Sequence, residues 1–193
     1  MGRPKLKEQR AAQILDAYEV CVARFGLEGA TLEKVAEQAG LARALIRHNI
    51  GNREDLEAAL IDRFFKYSDA SNKYLLEQMP TEDAASFLVD FLFTDRFGND
   101  DYLLVSEALI AASNTRPALA QRMKKWLSDF NAAIEKIVRS TYPDADRAHL
   151  KAVAIGITGI YFNMESMSPI GTVRGLRPAS KRAAQLLLES LSN

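Results

Sequence analysis

The chemistry most densely encoded in this chain lies between Thr31 and Arg53, where two arginines, a histidine and several small polar groups fall on short helical patterns. Arg43 and Arg47 are four residues apart and so share one helix face, with Ala44 and His48 beside them. A guanidinium pairs in bidentate fashion with O6 and N7 of guanine, discriminating by roughly 1–3 kcal/mol. Ala44 and Leu45 are of a size to meet a thymine methyl, and His48 can donate to a base edge or a phosphate. The pattern points to double-stranded DNA as a partner, against the plainer reading of a solvated helix face.

Such a face needs elements to hold it. Leu32, Val35, Ala36 and Ala39 recur at the i, i+3, i+4, i+7 spacing of one helix face. Thr31 stands where an N-cap would, and Glu33 in the first turn suits the helix dipole. Gly40 allows a backbone conformation that other residues resist, so a second helix can leave at a steep angle. That second helix keeps Leu41, Ile46 and Ile50 for a core and leaves Arg43, Ala44, Arg47 and His48 outside it. This is the arrangement of a helix-turn-helix, whose second helix enters the major groove. Upstream, Ile14, Tyr18, Cys21, Val22 and Phe25 form the apolar stripe of a helix from about Gln9, ended by Gly26 and Gly29. Downstream, Asn52 caps a long pattern from Arg53 to about Met79, with Glu54 and Asp55 in its first turn and Leu56, Leu60, Phe64, Tyr67 and Leu75 on its apolar side.

These residues resemble the TetR/AcrR group of transcriptional regulators. The resemblance rests on Thr31, the AxxAG segment Ala36–Gly40, the short stretch Arg43–Asn49 and Arg53, and upstream on Ile14 to Ala17, Phe25-Gly26 and Gly29. It covers roughly residues 10 to 60. The family usually has Ser where this chain has Ala42, Tyr at Arg47, His at Asn49 and Phe at Ile50. Ala42 removes a cap worth roughly 1 kcal/mol. The resemblance implies that Thr31, Asn49 and Arg53 hold the phosphate backbone. It also implies that the final two helices pair with those of a second copy across a two-fold axis, and that a small-molecule effector binds inside the C-terminal bundle.

Length and composition agree with a globular protein. The 193 residues are 48% hydrophobic and 26% charged, enough for a core without metal or disulfide. Cys21 is the lone cysteine, which fits a reducing cytoplasm; on an apolar face it reads as packing more readily than as a redox sensor. No stretch reaches the length of a membrane span, and the basic N-terminus lacks a following apolar run. Net charge is zero, but residues 1–53 hold nine Lys/Arg against six Asp/Glu, a net of +3 balanced by −3 in the rest. A basic end on an acidic body fits DNA contact through one end. Met1–Arg10, rich in Lys and Arg, reads as a flexible arm, either laid along DNA or simply solvated.

Beyond residue 80 every pattern is helical, so the expected fold is all-α: a helix-turn-helix domain over residues 1–53 and a helical ligand-binding and dimerisation domain over 54–193. Helices are expected over Thr81–Phe97 (stopping at Gly98-Asn99), Tyr102–Ser113, Pro117–Thr141, Pro143–Met167 and about Ala179–Leu191. Leu186, Leu187, Leu188 and Leu191 exceed what a thin surface helix needs; they serve either internal core or a second copy. Phe87, Phe91, Trp126, Phe130, Tyr161, Asn163 and Met164 are the groups that could line an effector cavity, for which an apolar or aromatic molecule is the fitting class. At helical spacing they read equally as core. Gly156 and Gly159, inside a helix, serve close helix approach or leave room for a ligand.

Enzyme and metal chemistry find no support. His48 and His149 lie far apart without Cys or carboxylate neighbours at ligand spacing. There is no phosphate-binding glycine loop, no GxSxG and no HExxH. No cofactor is expected. Together with the resemblance, the sequence implies a cytoplasmic, ligand-responsive DNA-binding regulator, a repressor acting as a homodimer on a palindromic operator. The alternative is a helical interaction or sensor protein that has lost DNA binding.

Overall fold

The computed structural model describes residues 3–94 and 100–192. Among them are nine α-helices and no strand: α1 (Arg3–Gly29), α2 (Leu32–Ala39), α3 (Arg43–Asn49), α4 (Arg53–Gln78), α5 (Ala84–Leu92), α6 (Asp100–Ala112), α7 (Pro117–Thr141), α8 (Arg147–Ser166) and α9 (Leu176–Glu189). The all-α expectation holds. The chain forms two compact units, one of Met1–Tyr67 with Asp101–Met123, the other of Ser68–Asp100 with Lys124–Asn193. The first unit thus takes in more than residues 1–53: the start of α4, most of α6 and the first turns of α7 belong to it.

In the first unit, α1 packs on α2 and α3. Ile14, Tyr18, Cys21 and Val22 of α1 are buried, as their spacing predicts, together with Val35, Ile46, Leu56 and Leu60. Burial pushes the Cys21 thiol above its ordinary range, which suits a packing group and not a reactive thiolate. Three details differ from expectation. Helix α1 begins at Arg3, not near Gln9, so residues 3–10 are not an irregular arm; Pro4 sits in the first turn, where its missing N–H costs nothing. Met1 and Gly2 lie outside the described residues. Phe25 is half exposed, because Gly26 leaves helical geometry and passes the buried position to Leu27; Lys34 sits over the Phe25 ring at 4.0 Å. Tyr67 is also half exposed and meets Tyr102 of α6 at 5.0 Å, while Phe64 stacks on the same ring at 4.7 Å.

The second unit is organised around Leu88, Leu92, Ile134, Leu150, Ile157 and Leu188, drawn from α5, α7, α8 and α9. Helix α5 is shorter than the Thr81–Phe97 pattern. It starts after Asp83, whose left-handed backbone (φ 50°) turns the chain, and the Ala85 N–H is met by Thr141 Oγ1 at 3.0 Å. The expected stop at Gly98-Asn99 lies outside the described residues. Helix α8 starts at Arg147, not Pro143: the Asp146 carboxylate accepts the His149 N–H at 2.8 Å and so marks the first turn. Helix α9 starts three residues earlier than Ala179, at Leu176 after Gly175, which places Pro178 in its tolerant first turn. No described helix is long and apolar enough to cross a membrane.

Candidate nucleic-acid interface

Local chemistry fixes the helix-turn-helix. Thr31 has extended backbone, and its Oγ1 accepts the Lys34 N–H at 3.4 Å, which starts α2. Gly40 is left-handed (φ 64°, ψ 33°); its N–H donates to Glu37 O at 3.1 Å and the Leu41 N–H to Ala36 O at 3.0 Å. Those paired bonds are a Schellman motif, which satisfies the last carbonyls of α2 and turns the chain into α3. Gln13 of α1 donates to Ala39 O at 2.9 Å and so ties the same turn from behind.

Helix α3 has only Ala42 at its N-cap, with no side-chain bond to its free amides. It is anchored instead by Ile46, which is fully buried, with Leu41 and Ile50 half-buried beside it. The turn into α4 is closed by a reciprocal pair: Asp55 N–H donates to Asn52 Oδ1 and Asn52 N–H to Asp55 Oδ2, both at 2.9 Å. This is a capping box built from Asn and Asp.

The eight candidate residues for DNA all fall in this segment, but in two classes. Arg43, Ala44, Arg47 and His48 are exposed on α3. Arg43 forms an ion pair with Glu33 of α2. Arg47 and His48 make no hydrogen bond or ion pair among the described residues. Thr31, Leu45, Asn49 and Arg53 are half-buried, and their polar groups serve the scaffold. The Asn49 amide donates to Leu45 O at 2.7 Å. Arg53 donates through one terminal nitrogen to both Leu27 O and Glu28, at 2.9 Å each. Each retains further N–H donors that could meet a phosphate.

Two features were not anticipated from the sequence. One is the Glu33–Arg43 pair, ten residues apart and brought together only by the Gly40 turn. The other is a charge cluster in which Arg116, just before α7, pairs with Glu57 and, at 3.4 Å, with Glu28, the carboxylate that Arg53 also uses. Residues so distant in the chain carry no spacing signal.

The effector candidates fall into three places in the second unit. Trp126, Phe130, Tyr161 and Met164 are buried. Phe162 joins them: its ring lies 5.4 Å from Trp126, 5.5 Å from Phe130 and 5.6 Å from Tyr161. Phe162 was missed because it falls between the two faces of the α8 pattern. Phe87 and Phe91 stack at 6.1 Å on α5, Phe87 being partly exposed. Asn163 is exposed and lines an open groove of about 530 Å³ between α8 and α9, with Gly156, Gly159, Ile160, Ser180 and Ala183.

No family model and no curated protein matches the sequence. Solved structures do match over nearly the whole chain. A TetR transcription regulator from Haloarcula marismortui is 14% identical, with 95% of this chain and 98% of that one covered and a TM-score of 0.72. A TetR-like transcriptional regulator from Rhodococcus sp. RHA1 is 16% identical over 95% and 96%, at 0.65. The transcriptional regulator FadR from Bacillus subtilis, solved with stearoyl-CoA, is 18% identical over 92% and 97%, at 0.62. With its helix-turn-helix, the nine helices of its described residues and these likenesses, the chain has the fold of the TetR-family transcriptional regulators.

Proposed function

We propose that this protein is a cytoplasmic, ligand-responsive transcriptional repressor that binds a palindromic DNA operator as a homodimer and is released by a small molecule. The observation that carries the reading is α3 itself. A short helix, fixed behind by Ile46 and at both ends by turn motifs, leaves Arg43, Ala44, Arg47 and His48 exposed, within a TetR-like fold. Arg43 and Arg47 read bases or meet phosphates; Thr31, Asn49 and Arg53 contact the backbone with the donors their scaffold bonds leave over.

One such helix per chain reads one half-site, so a two-fold dimer is the economical assembly. Helices α8 and α9 support it, since their groove is open and each leaves a large apolar side chain half exposed, Ile155 on α8 and Leu186 on α9. The effector belongs to the aromatic cluster of Trp126, Phe130, Tyr161 and Phe162. These rings touch one another, so a ligand entering there must part them. It therefore binds a rearranged state better, which is the differential affinity that release requires. FadR, solved with stearoyl-CoA, is consistent with an apolar effector in a body of this fold.

Selection of sites from random DNA by the purified protein, at two salt concentrations, tests the reading. The expected result is an inverted repeat whose affinity falls steeply with salt. Arg43→Ala should then relax one base position per half-site by about 5- to 100-fold. No enriched motif at either salt would favour an interaction or sensor protein that has lost DNA binding.

A further inference from the structure

We infer that Glu33 determines specificity: held at the start of α2, its carboxylate fixes the Arg43 guanidinium for a base edge and keeps it from the phosphates. The inference rests on the DNA-binding reading above.

Three observations carry it. First, Glu33 has partners on its own element besides Arg43. A hydrogen bond from its own backbone N–H, reinforced by Arg43 and by the Thr31 hydroxyl, keeps its carboxyl below the usual carboxylate range. The pair itself is geometric: the Gly40 turn brings the Glu33 carboxylate of α2 against the Arg43 guanidinium of α3. Second, Arg43 is the first residue of α3, and the N-terminal residues of a recognition helix are those that reach base edges. Third, Arg47 lies one turn further on, is exposed, and has no ion pair or hydrogen bond among the described residues. Two arginines on one helix are thus prepared differently.

The physical consequence follows from the guanidinium. It has five N–H donors; Glu33 engages one terminal nitrogen and leaves the other donors for the paired acceptors of guanine. A free arginine meets phosphate oxygens as readily as bases, and phosphates carry no sequence information. A carboxylate at this place also repels the DNA backbone. It weakens every site alike while sharpening one base position. Both partners are more than half exposed, so the pair contributes little to folding, and its effect on binding can be separated from stability.

The test uses the full chain in four forms: wild type, Glu33→Gln, Arg43→Ala and the double variant. Each is put through random-site selection and affinity measurement at two salt concentrations. Glu33→Gln should remain folded with at most a small loss of stability, bind non-specific DNA severalfold more tightly and steepen the salt dependence by about one phosphate contact. It should also flatten, by about tenfold, the base preference at the position that Arg43→Ala flattens. In the Arg43→Ala background, Glu33→Gln should change no base preference. If wild type selects a motif and Glu33→Gln retains it in full, or flattens it equally without Arg43, this inference is overturned and DNA binding stands. If wild type selects nothing, both fall together.

Discussion

Gly51 and Gly159 show how differently the two units use the same residue. At Gly51, between α3 and α4, the backbone is left-handed (φ 116°), and a Cβ would strike the Asp55 carboxylate that closes the capping box. At Gly159, in the middle of α8, a Cβ would meet nothing within 4 Å. The first glycine has its reason within four residues of itself. The second weakens its helix by about 1 kcal/mol relative to alanine and gains nothing from its own chain. The turn in the first unit is therefore specified by local chemistry, whereas no neighbour among the described residues requires a glycine at position 159.

Gly51→Ala is the hardest blow to that contrast. Alanine at positive φ costs about 1–2 kcal/mol, and displacing Asp55 forfeits a capping interaction worth about 1 kcal/mol. A loss of about 2–3 kcal/mol is expected, read from the midpoint and slope of urea unfolding. A loss below about 0.5 kcal/mol would show that the turn is not set locally, and the contrast would go with it.

Tyr18 sharpens the contrast from inside the first unit. Its polar groups around the turns are bonded, yet the Tyr18 hydroxyl is fully buried with no partner among the described residues. Burial, and then the nearby Glu57 carboxylate, push its pKa up to about 12 from 10.0. The neutral form is thus favoured in the folded state. Its contribution to stability is complete below pH 10.0, declines as the unfolded chain ionises, and is lost as pH rises through about 12. A fall on the order of 2 kcal/mol is expected across that window. Tyr18→Phe should remove this component from the difference in alkaline unfolding curves, while costing under about 1 kcal/mol at neutral pH, because no hydrogen bond is lost. Identical alkaline limbs for the two proteins would place the hydroxyl in contact with solvent.

The same division explains what could be read from the sequence. Thr31, Gly40 and Asn52 act within three or four residues of themselves, and each was visible as a cap or a turn. The apolar spacing of α1 likewise predicted Ile14, Tyr18 and Val22 as core. What could not be read depends on distant partners. Glu33 looked like a dipole residue until the turn brought it to Arg43. Glu28 had no visible role until Arg53 and Arg116 converged on it. In the second unit, composition marked Trp126, Phe130 and Tyr161 but not Phe162, the ring that touches all three. Periodicity assigns a side chain to a face; it does not say which ring lies against which.

Gly159→Ala has the smallest effect on the isolated chain and bears most directly on the open groove. With free space for the methyl and one less flexible residue in α8, a single chain should gain about 0.5–1 kcal/mol. Gly156, one turn earlier, already faces the end of Leu187 from α9 at 2.7 Å from a would-be Cβ, so its glycine serves packing within the chain. Gly159 has no such neighbour. If a second copy seats on α8 and α9, its helix approaches where the methyl would stand. The variant should then raise the dimer dissociation constant by about tenfold, near 1.4 kcal/mol, even as each chain becomes more helical. Sedimentation equilibrium over a range of concentrations, alongside circular dichroism at high dilution, separates the two effects. A variant that is more stable and dimerises as tightly as wild type would remove the groove from the interface and leave the half-exposed Ile155 and Leu186 as the surface to test next.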